Sequence, residues 1–534
     1  MPYSWKTTDW LVSIARVIPL ITIGAIVAGC QVGPNFRSPG NGKVPSEFHQ
    51  ASIVSSEDEP IRGHVDVDQW WGYFDDPVLH QLIHDTNSHN LDLKEAAWRI
   101  AESRSRAGLA KSQFFPQVNA SVGATRRNIS ENASQFALNN DGSGAFPYYA
   151  NGLDSTWEID LFGKLARGYE SALADNWAQV EARHALKVTL LAEVATTYVQ
   201  ARVLQQRLNI ARQNLALQNQ TLSIVEARQA AGLVGQLDQS EAESNVAVTT
   251  ASIPPVQQEL QTSLYQISVL IGQTPDGRIE LSNNSGVLPL LILDKIEPGM
   301  PAELLSRRPD IRKAYFDAKS ANALIGVAVA ERLPQLSIRG DISLEARGVS
   351  MVYSDNSVVT TLGPSLRWNI LNFNRLKRNI EVREAQYQQS VLAYQSTVLK
   401  ALQEVESSLV EYYRQKERVL ELRKVAEVTN RSVDISLVRY EQNLITFDRV
   451  LDAQRGLAVA QSNVATAEGD VLLAVIKIFK SLGGGWKLES DYSVDLLCML
   501  ESDKLADNED VGIVTSVEPA EGEDLDGNLD VVSE

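Results

Sequence analysis

The sequence predicts a mainly α-helical protein with a small β part, built as a duplicated unit with long coiled-coil-like helices and four β-strands per protomer. Three observations carry this expectation. Trp157-x-Ile159-x-x-Phe162-Gly163-Lys164-Leu165-x-Arg167 reappears 211 residues later as Trp368-x-Ile370-x-x-Phe373-Asn374-Arg375-Leu376-x-Arg378. No proline occurs between Pro147 and Pro254 or between Pro364 and Pro519, and apolar residues recur there every seven positions. Before each of these regions lies a stretch that alternates apolar and polar residues.

The repeat bounds the architecture. The offset of 211 also pairs Glu193-Val194 with Glu404-Val405, Arg228 with Arg439, Leu233 with Leu444, and Ile271-Gly272 with Leu482-Gly483. Upstream the offset becomes 218, pairing Asp92-Leu93 with Asp310-Ile311 and Pro116-Gln117 with Pro334-Gln335. The change predicts a surface loop seven residues longer in the first unit, between Pro116 and Trp157. The period is too long for a TPR or ankyrin array.

In the first unit Val194, Ala201, Leu208, Leu215 and Leu222 form one seam, with Leu190, Leu204, Ala211 and Val225 on its companion. Val405, Tyr412, Val419, Ala426, Val433 and Tyr440 repeat the pattern in the second. A sustained seven-residue period means helices packed side by side with slight supercoiling. One continuous helix over Lys164 to Ala231 would be roughly 100 Å long, against a bilayer core of ~30 Å. Its Gln-, Arg- and Asn-rich faces place it in water.

Gln335 to Glu345 alternates cleanly, and Val118, Ala120, Val122 and Ala124 alternate with Gln117, Asn119, Ser121 and Gly123. Tyr149–Ile159 and Val358–Ile370 are weaker second strands, the latter interrupted by Pro364. About ten alternating residues is the pattern of outer-membrane barrel strands, though a sheet with one face on a core shares it. Four strands cannot close a barrel, and open edges are not tolerated in lipid. Membrane-spanning strands therefore require several copies; two would make eight strands and three would make twelve.

Charge and composition exclude other classes. Lys+Arg is 49 and Asp+Glu 67, net −18, the wrong sign for a nucleic-acid binder. Residues 501–534 carry −11 of that charge. Two cysteines exclude a disulfide framework or a Cys-based zinc module. Lys6 and Arg16 precede the apolar stretch Val17 to Ala28, and Val27-Ala28-Gly29-Cys30 resembles a bacterial lipobox. Cys30 is thus the expected lipidated first residue, and Gln31 favours the outer membrane. The expected organisation is a signal peptide over 1–29, anchor and first repeat over 30–272, a linker over 273–300, a second repeat over 301–486 and an acidic, disordered tail over 487–534.

Together Cys30-Gln-Val-Gly-Pro-Asn-Phe36, Trp70-Trp71, Phe74-Asp75-Asp76-Pro77, Phe115-Pro116, Trp157-Glu-Ile-Asp-Leu-Phe-Gly163, Leu304-Leu305-Ser-Arg-Arg308-Pro309-Asp310-Ile311 and Leu451-Asp452-Ala453-Gln454-Arg455 resemble the TolC-like outer membrane efflux family, in its lipoprotein branch. The resemblance covers about residues 30–486. It implies a homotrimer in which the strands contribute to a shared twelve-stranded transmembrane β-barrel above a periplasmic α-barrel. It further implies the exit duct of a tripartite efflux pump for small molecules such as drugs, with a periplasmic adaptor and an inner-membrane transporter as partners. The expected location is the outer membrane, lipid-anchored and extending into the periplasm.

Gly232-Leu233-Val234-Gly235 and Asn443-Leu444-Ile445-Thr446 interrupt the heptads and read as helix-turn-helix tips, since Gly and Asn accept the left-handed conformation that ends a helix. In the family this end meets the adaptor and closes at rest. By resemblance Tyr440 and Asp452 are gate positions, and three symmetry copies of Asp452 would line one axis. Arg449 stands where some relatives carry an acid, and an inter-helix ion pair with Asp452 is expected to latch the closed state; the alternative is that Arg449, Asp448 and Asp452 are ordinary solvated tip charges.

No catalytic residues, metal ligands or cofactor site are expected. His80 and His84 are spaced i,i+4 but lack a zincin glutamate, and Leu79, Leu82 and Ile83 form the buried side of their helix. Gly483-Gly484-Gly485-Trp486 reads as a flexible stop. Two rival readings use the same features: a polypeptide-secretion duct, and a lipid-anchored periplasmic spacer with no pore.

Overall fold

In the computed structural model, residues 31–39, 67–127, 145–276 and 307–487 are described, and they realise the duplication element by element. After a 3-10 turn at Val67–Phe74 come α1 (Pro77–His89) and α2 (Leu91–Ser112), then β1 (Gln117–Arg127), β2 (Phe146–Ile159), α3 (Lys164–Ala230) and α4 (Gln236–Leu270). The second unit supplies α5 (Pro309–Ala330), β3 (Gln335–Ala346), β4 (Val358–Arg367), α6 (Arg375–Glu441) and α7 (Phe447–Ser481). α3 and α6 each have 67 residues, α4 and α7 each 35, and α2 and α5 each 22. At 1.5 Å per residue, α3 and α6 are each about 100 Å long. The connection between β1 and β2 has 18 residues and that between β3 and β4 has 11, which locates the predicted length difference.

Each long helix starts at a left-handed residue, Gly163 (φ 75°) or Asn374 (φ 66°), where the chain leaves the sheet. The repeated tryptophans fix this corner. The Trp157 indole donates to the Phe114 carbonyl at 2.8 Å and the Trp368 indole to the Arg332 carbonyl at 3.0 Å. Both carbonyls lie just beyond the helix that precedes the sheet, so one motif clamps strand to helix twice.

The four strands form one antiparallel sheet in the order β1-β2-β3-β4. β4 ends at Arg367, three residues short of the expected Ile370, because its partner β3 begins at Gln335, opposite Arg367. Pro364 sits opposite Ile338 in this edge strand, a position where a missing N–H is tolerated.

α3 packs against α2, α4, α5 and α7, while α6 packs against α5 and α7. The seams behave as their period requires: Val194, Ala201, Leu208, Val405, Tyr412, Val419, Val433 and Tyr440 are buried. The main core gathers Trp70, Leu79, Ile83, Leu191, Tyr198, Tyr412 and Phe479. Each such side chain stabilises the fold by roughly 1.5–3 kcal/mol through burial. A second, smaller core sits at the far end: Val225, Ala242, Tyr440, Phe447, Val450 and Leu451. Between them the contact turns polar. Asn214 donates to Gln461 (2.9 Å), Gln454 to Thr221 (2.8 Å) and Asn245 to Gln454 (3.3 Å).

α4 continues through Pro254 and Pro255. Both face outward, so the carbonyls of Thr250 and Ala251, which lose their helical donors, lie on the solvent side. Gly483-Gly484-Gly485-Trp486 is a packed turn rather than a flexible stop. Gly485 N–H donates to the Val67 carbonyl at 3.1 Å, a Cβ on Gly484 would stand 2.6 Å from that same oxygen, and Trp486 is buried.

Candidate functional site: an open amphipathic sheet and two helix tips

Register assigns the two faces of the sheet. Leu153 lies between Ala120 and Ile342, and Leu336 opposite Leu366. With Val118, Val122, Leu344 and Leu362 they line one face, and most of these are exposed although large and apolar. The opposite face carries Asn119, Asp154, Arg339, Asp341 and Glu345, with Asn119 donating to Asp154 at 3.0 Å. Among the described residues β1 and β4 have no second partner, so both edges present unpaired backbone groups. No helix among the described residues is long and apolar enough to cross a membrane. An apolar outer face, a polar inner face and two open edges are what one sector of a lipid-embedded barrel requires.

The segment after the anchor is held at the base of this sheet. Val32 N–H donates to the Phe162 carbonyl at 3.1 Å. The buried Arg167 guanidinium reaches the Val32 carbonyl (3.3 Å), Asn35 (2.7 Å) and Glu170 (2.8 Å). A Cβ on Gly33 (φ 91°) would lie 2.5 Å from Gly326 Cα, so glycine is needed for this approach. Cys30 itself lies outside the described residues. Gln31, the next residue, touches Gly163 where the sheet meets α3.

At the other end the two tips are copies of one turn. Gly232 (φ 70°) and Asn443 (φ 58°) are left-handed. Leu233 N–H donates to the Arg228 carbonyl and Leu444 N–H to the Arg439 carbonyl, both at 2.9 Å. These six-residue closures are Schellman caps. They leave Leu233 and Leu444 projecting into solvent, with Val234 and Ile445 packed beneath against the small core. Gly235 and Thr446 then take the N-cap positions of α4 and α7 in extended conformation.

The expected gate residues part company. Tyr440 is buried; its hydroxyl donates to Asp238 at 3.2 Å, and the Arg228 guanidinium stands 4.8 Å over its ring. Burial, reinforced by the Asp238 carboxylate, pushes the phenol up to about 12, so it stays a donor throughout the physiological range. Arg449 and Asp452 are exposed on α7. Arg449 lies 3.8 Å from Asp448, and within one protomer it makes no ion pair with Asp452.

Sequence reasoning missed Arg228 as the link between tips. It donates to the Glu441 carbonyl at 2.8 Å and to the Asn443 side chain, capping the end of α6 from α3. It also missed two ion-pair clusters, each built on one buried charge. Arg308 joins Asp310, Glu404 (2.7 Å) and the Ser481 carbonyl (2.9 Å), which explains the Arg-Arg-Pro-Asp and Glu-Val motifs together. Glu181, fully buried, takes Arg312 at 2.6 Å. Burial outweighs that partner and raises the Glu181 carboxyl above its usual range. His84 and His80 are exposed, and the described residues hold no group of three metal-ligating side chains.

A barrel sector joined to helices about 100 Å long that stand outside lipid defines an outer-membrane duct protein. The model of the family described as outer membrane efflux protein matches residues 82–273 and 300–484, and the chain belongs to that family. It is 31% identical over 430 residues to the pyoverdine export outer membrane protein OpmQ of Pseudomonas putida, covering 79% of this chain and 89% of the relative. Nodulation protein T of Rhizobium leguminosarum bv. trifolii is 29% identical over 468 residues, 86% of this chain and 96% of that one. Among solved structures, the outer-membrane channel OprN superposes with a TM-score of 0.77 at 30% identity, covering 86% of this chain and all of that one. The protein is an outer-membrane exit duct for efflux.

Proposed function

We propose that three copies close a twelve-stranded barrel and a helical tunnel, rooted by lipid on Cys30, through which an inner-membrane transporter exports small molecules. A periplasmic adaptor engages the tips at Leu233 and Ile445. The observation that carries this reading is the four-stranded sheet with opposite apolar and polar faces and both edges unpaired. A pore-free spacer has no use for such a sheet. Tyr440, Arg449 and Asp452 form the resting gate, and three Asp452 carboxylates around one axis attract cations and repel one another. The duct performs no catalytic step and needs no cofactor.

The test is electrical and chemical. The purified lipoprotein is added to planar bilayers and treated separately with an amine-directed crosslinker. Cation-preferring conductance together with a trimer band supports the duct; a monomer without conductance overturns it. Photo-crosslinking from Leu233 or Ile445 in cells identifies the adaptor, and recovery of a secretion adaptor would move the cargo from small molecules to polypeptides.

A further inference from the structure

Arginines and aromatic rings meet at the end of the sheet farthest from the helices. β1 has 11 residues, and at about 3.4 Å per residue its last, Arg127, stands roughly 35 Å from the helical end. Arg127 lies opposite Phe146, and Thr125 opposite Tyr148. Alternation puts Arg127, Phe146, Tyr148 and Glu345 on the polar face, with Asn119 and Asp154, while Arg126 takes the apolar face. Arg347 follows β3 on the polar side. The Arg127 guanidinium lies 3.7 Å from the centre of the Tyr148 ring, and the Arg347 guanidinium 4.4 Å from the centre of the Phe146 ring. The Tyr148 hydroxyl hydrogen-bonds Glu345. Both arginines are exposed, and neither makes an ion pair among the described residues. The duplication does not dictate this cluster: the counterparts of Arg127, Phe146 and Tyr148 in the second unit are Glu345, Ser357 and Val359.

We propose that Arg127 and Arg347, stacked on Tyr148 and Phe146, form in each copy a binding site for aromatic anions at the outer mouth of the duct. The site rests on the barrel proposed above, whose lumen the polar face lines. A guanidinium is a plane with two faces and an edge of N–H donors. Tyr148 and Phe146 each cover one face, which fixes the plane and leaves the exposed remainder to the lumen. A ligand ring stacks on the open face, and its carboxylate or sulfonate takes the N–H edge in a charge-assisted contact. Lipid phosphate is not the ligand, because these arginines face away from the apolar side where Arg126 stands. Glu345 is held by Tyr148 and by the Ser343 hydroxyl (3.3 Å), so each copy keeps a net positive charge in the cluster. About 13 Å deeper, Asp154 and Asp341 lie directly opposite each other, and two carboxylates there repel an anion. An aromatic anion arriving from outside therefore stops at the arginines, and one leaving the duct makes its last contact with them.

The test adds the full-length lipoprotein to one compartment of a planar bilayer. Helices about 100 Å long stay on that side, so the mouth faces the other. Naphthalene sulfonate added at the mouth side should block the conductance at a lower concentration than ethane sulfonate does. In Arg127→Gln/Arg347→Gln the half-blocking concentration should rise roughly tenfold or more, as loss of a charge-assisted contact requires. Arg347→Gln alone, outside the strands, should show part of that rise. Arg127→Lys/Arg347→Lys keeps the charge without the plane, and should still be blocked weakly by both sulfonates but lose the preference for the aromatic one. Amine-directed crosslinking should give the same trimer band for every protein, so that a lost block reads as a lost site. Equal half-blocking concentrations in parent and glutamine variants, or block from the helical side alone, overturn the site while the duct stands. An aromatic preference that survives in the lysine variant overturns the stacked geometry. A parent that conducts nothing overturns the duct, and the site with it.

Discussion

The Tyr440 hydroxyl donates to the Asp238 carboxylate at 3.2 Å, tying the end of α6 to the first turn of α4 across the junction of the two repeats. The residues are 202 positions apart, and their contact closes the small tip core over Phe447 and Val225. Arg228 braces it from α3.

Replacing Tyr440 with Phe keeps the ring on Phe447 and removes only the donor. A hydrogen bond to a charged group is worth about 1.5–3 kcal/mol, so the tip should loosen by roughly the lower figure. Single channels of Tyr440→Phe should show higher resting conductance than the parent. Equal conductance in both would remove this contact from the gate.

Asp452→Ala removes an exposed carboxylate from the tip without touching the core. If three such carboxylates share an axis, the reversal potential under a salt gradient should shift toward zero as cation preference falls. Asp448→Ala, at the base of the same turn, serves as comparison. An unchanged reversal potential and resting conductance for Asp452→Ala would falsify its assignment to the constriction.

Glu181 and Arg312 should behave as a coupled pair. Arg312→Met leaves a fully buried carboxylate without its cation, a change that typically costs about 3–5 kcal/mol. The double variant Glu181→Leu/Arg312→Met should be far closer to the parent. Urea midpoints of the four proteins give the coupling directly, and additive losses would show that the pair does not interact.

His184 makes the fold acid-sensitive. Burial, together with Arg183, Lys187 and Arg312 nearby, holds its imidazole down to about 3, against an ordinary 6.5. Below about pH 6.5 the unfolded chain takes up a proton that the folded site refuses, so stability falls as pH drops from 6.5 toward 3. The raised carboxyl of Glu181 binds its proton earlier in the folded chain and offsets part of this loss. His184→Phe, which keeps a ring against Trp486 (4.6 Å between centroids), should flatten the decline in melting temperature between pH 6.5 and 4. A parallel decline in parent and variant would assign the acid sensitivity elsewhere.

By itself the sequence determined the duplication, the length of the first long helix, the strand pattern and the two tip turns. These follow from short-range rules: a seven-residue apolar period, alternation along a strand, and Gly232 or Asn443 where a helix must end. It also determined that one copy leaves its sheet open, because four strands have two edges wherever they lie. The seven-residue period already buries the Tyr440 ring, but tertiary structure alone decided that its hydroxyl meets Asp238, 202 positions away, while Arg449 and Asp452 are exposed. It also decided that Arg228 caps the helix ending at Glu441, 213 residues away, and that Gly484 packs on Val67 where a flexible stop was expected. A carbonyl left free at a helix end is satisfied by whatever folding brings beside it, and no local pattern records which guanidinium that will be.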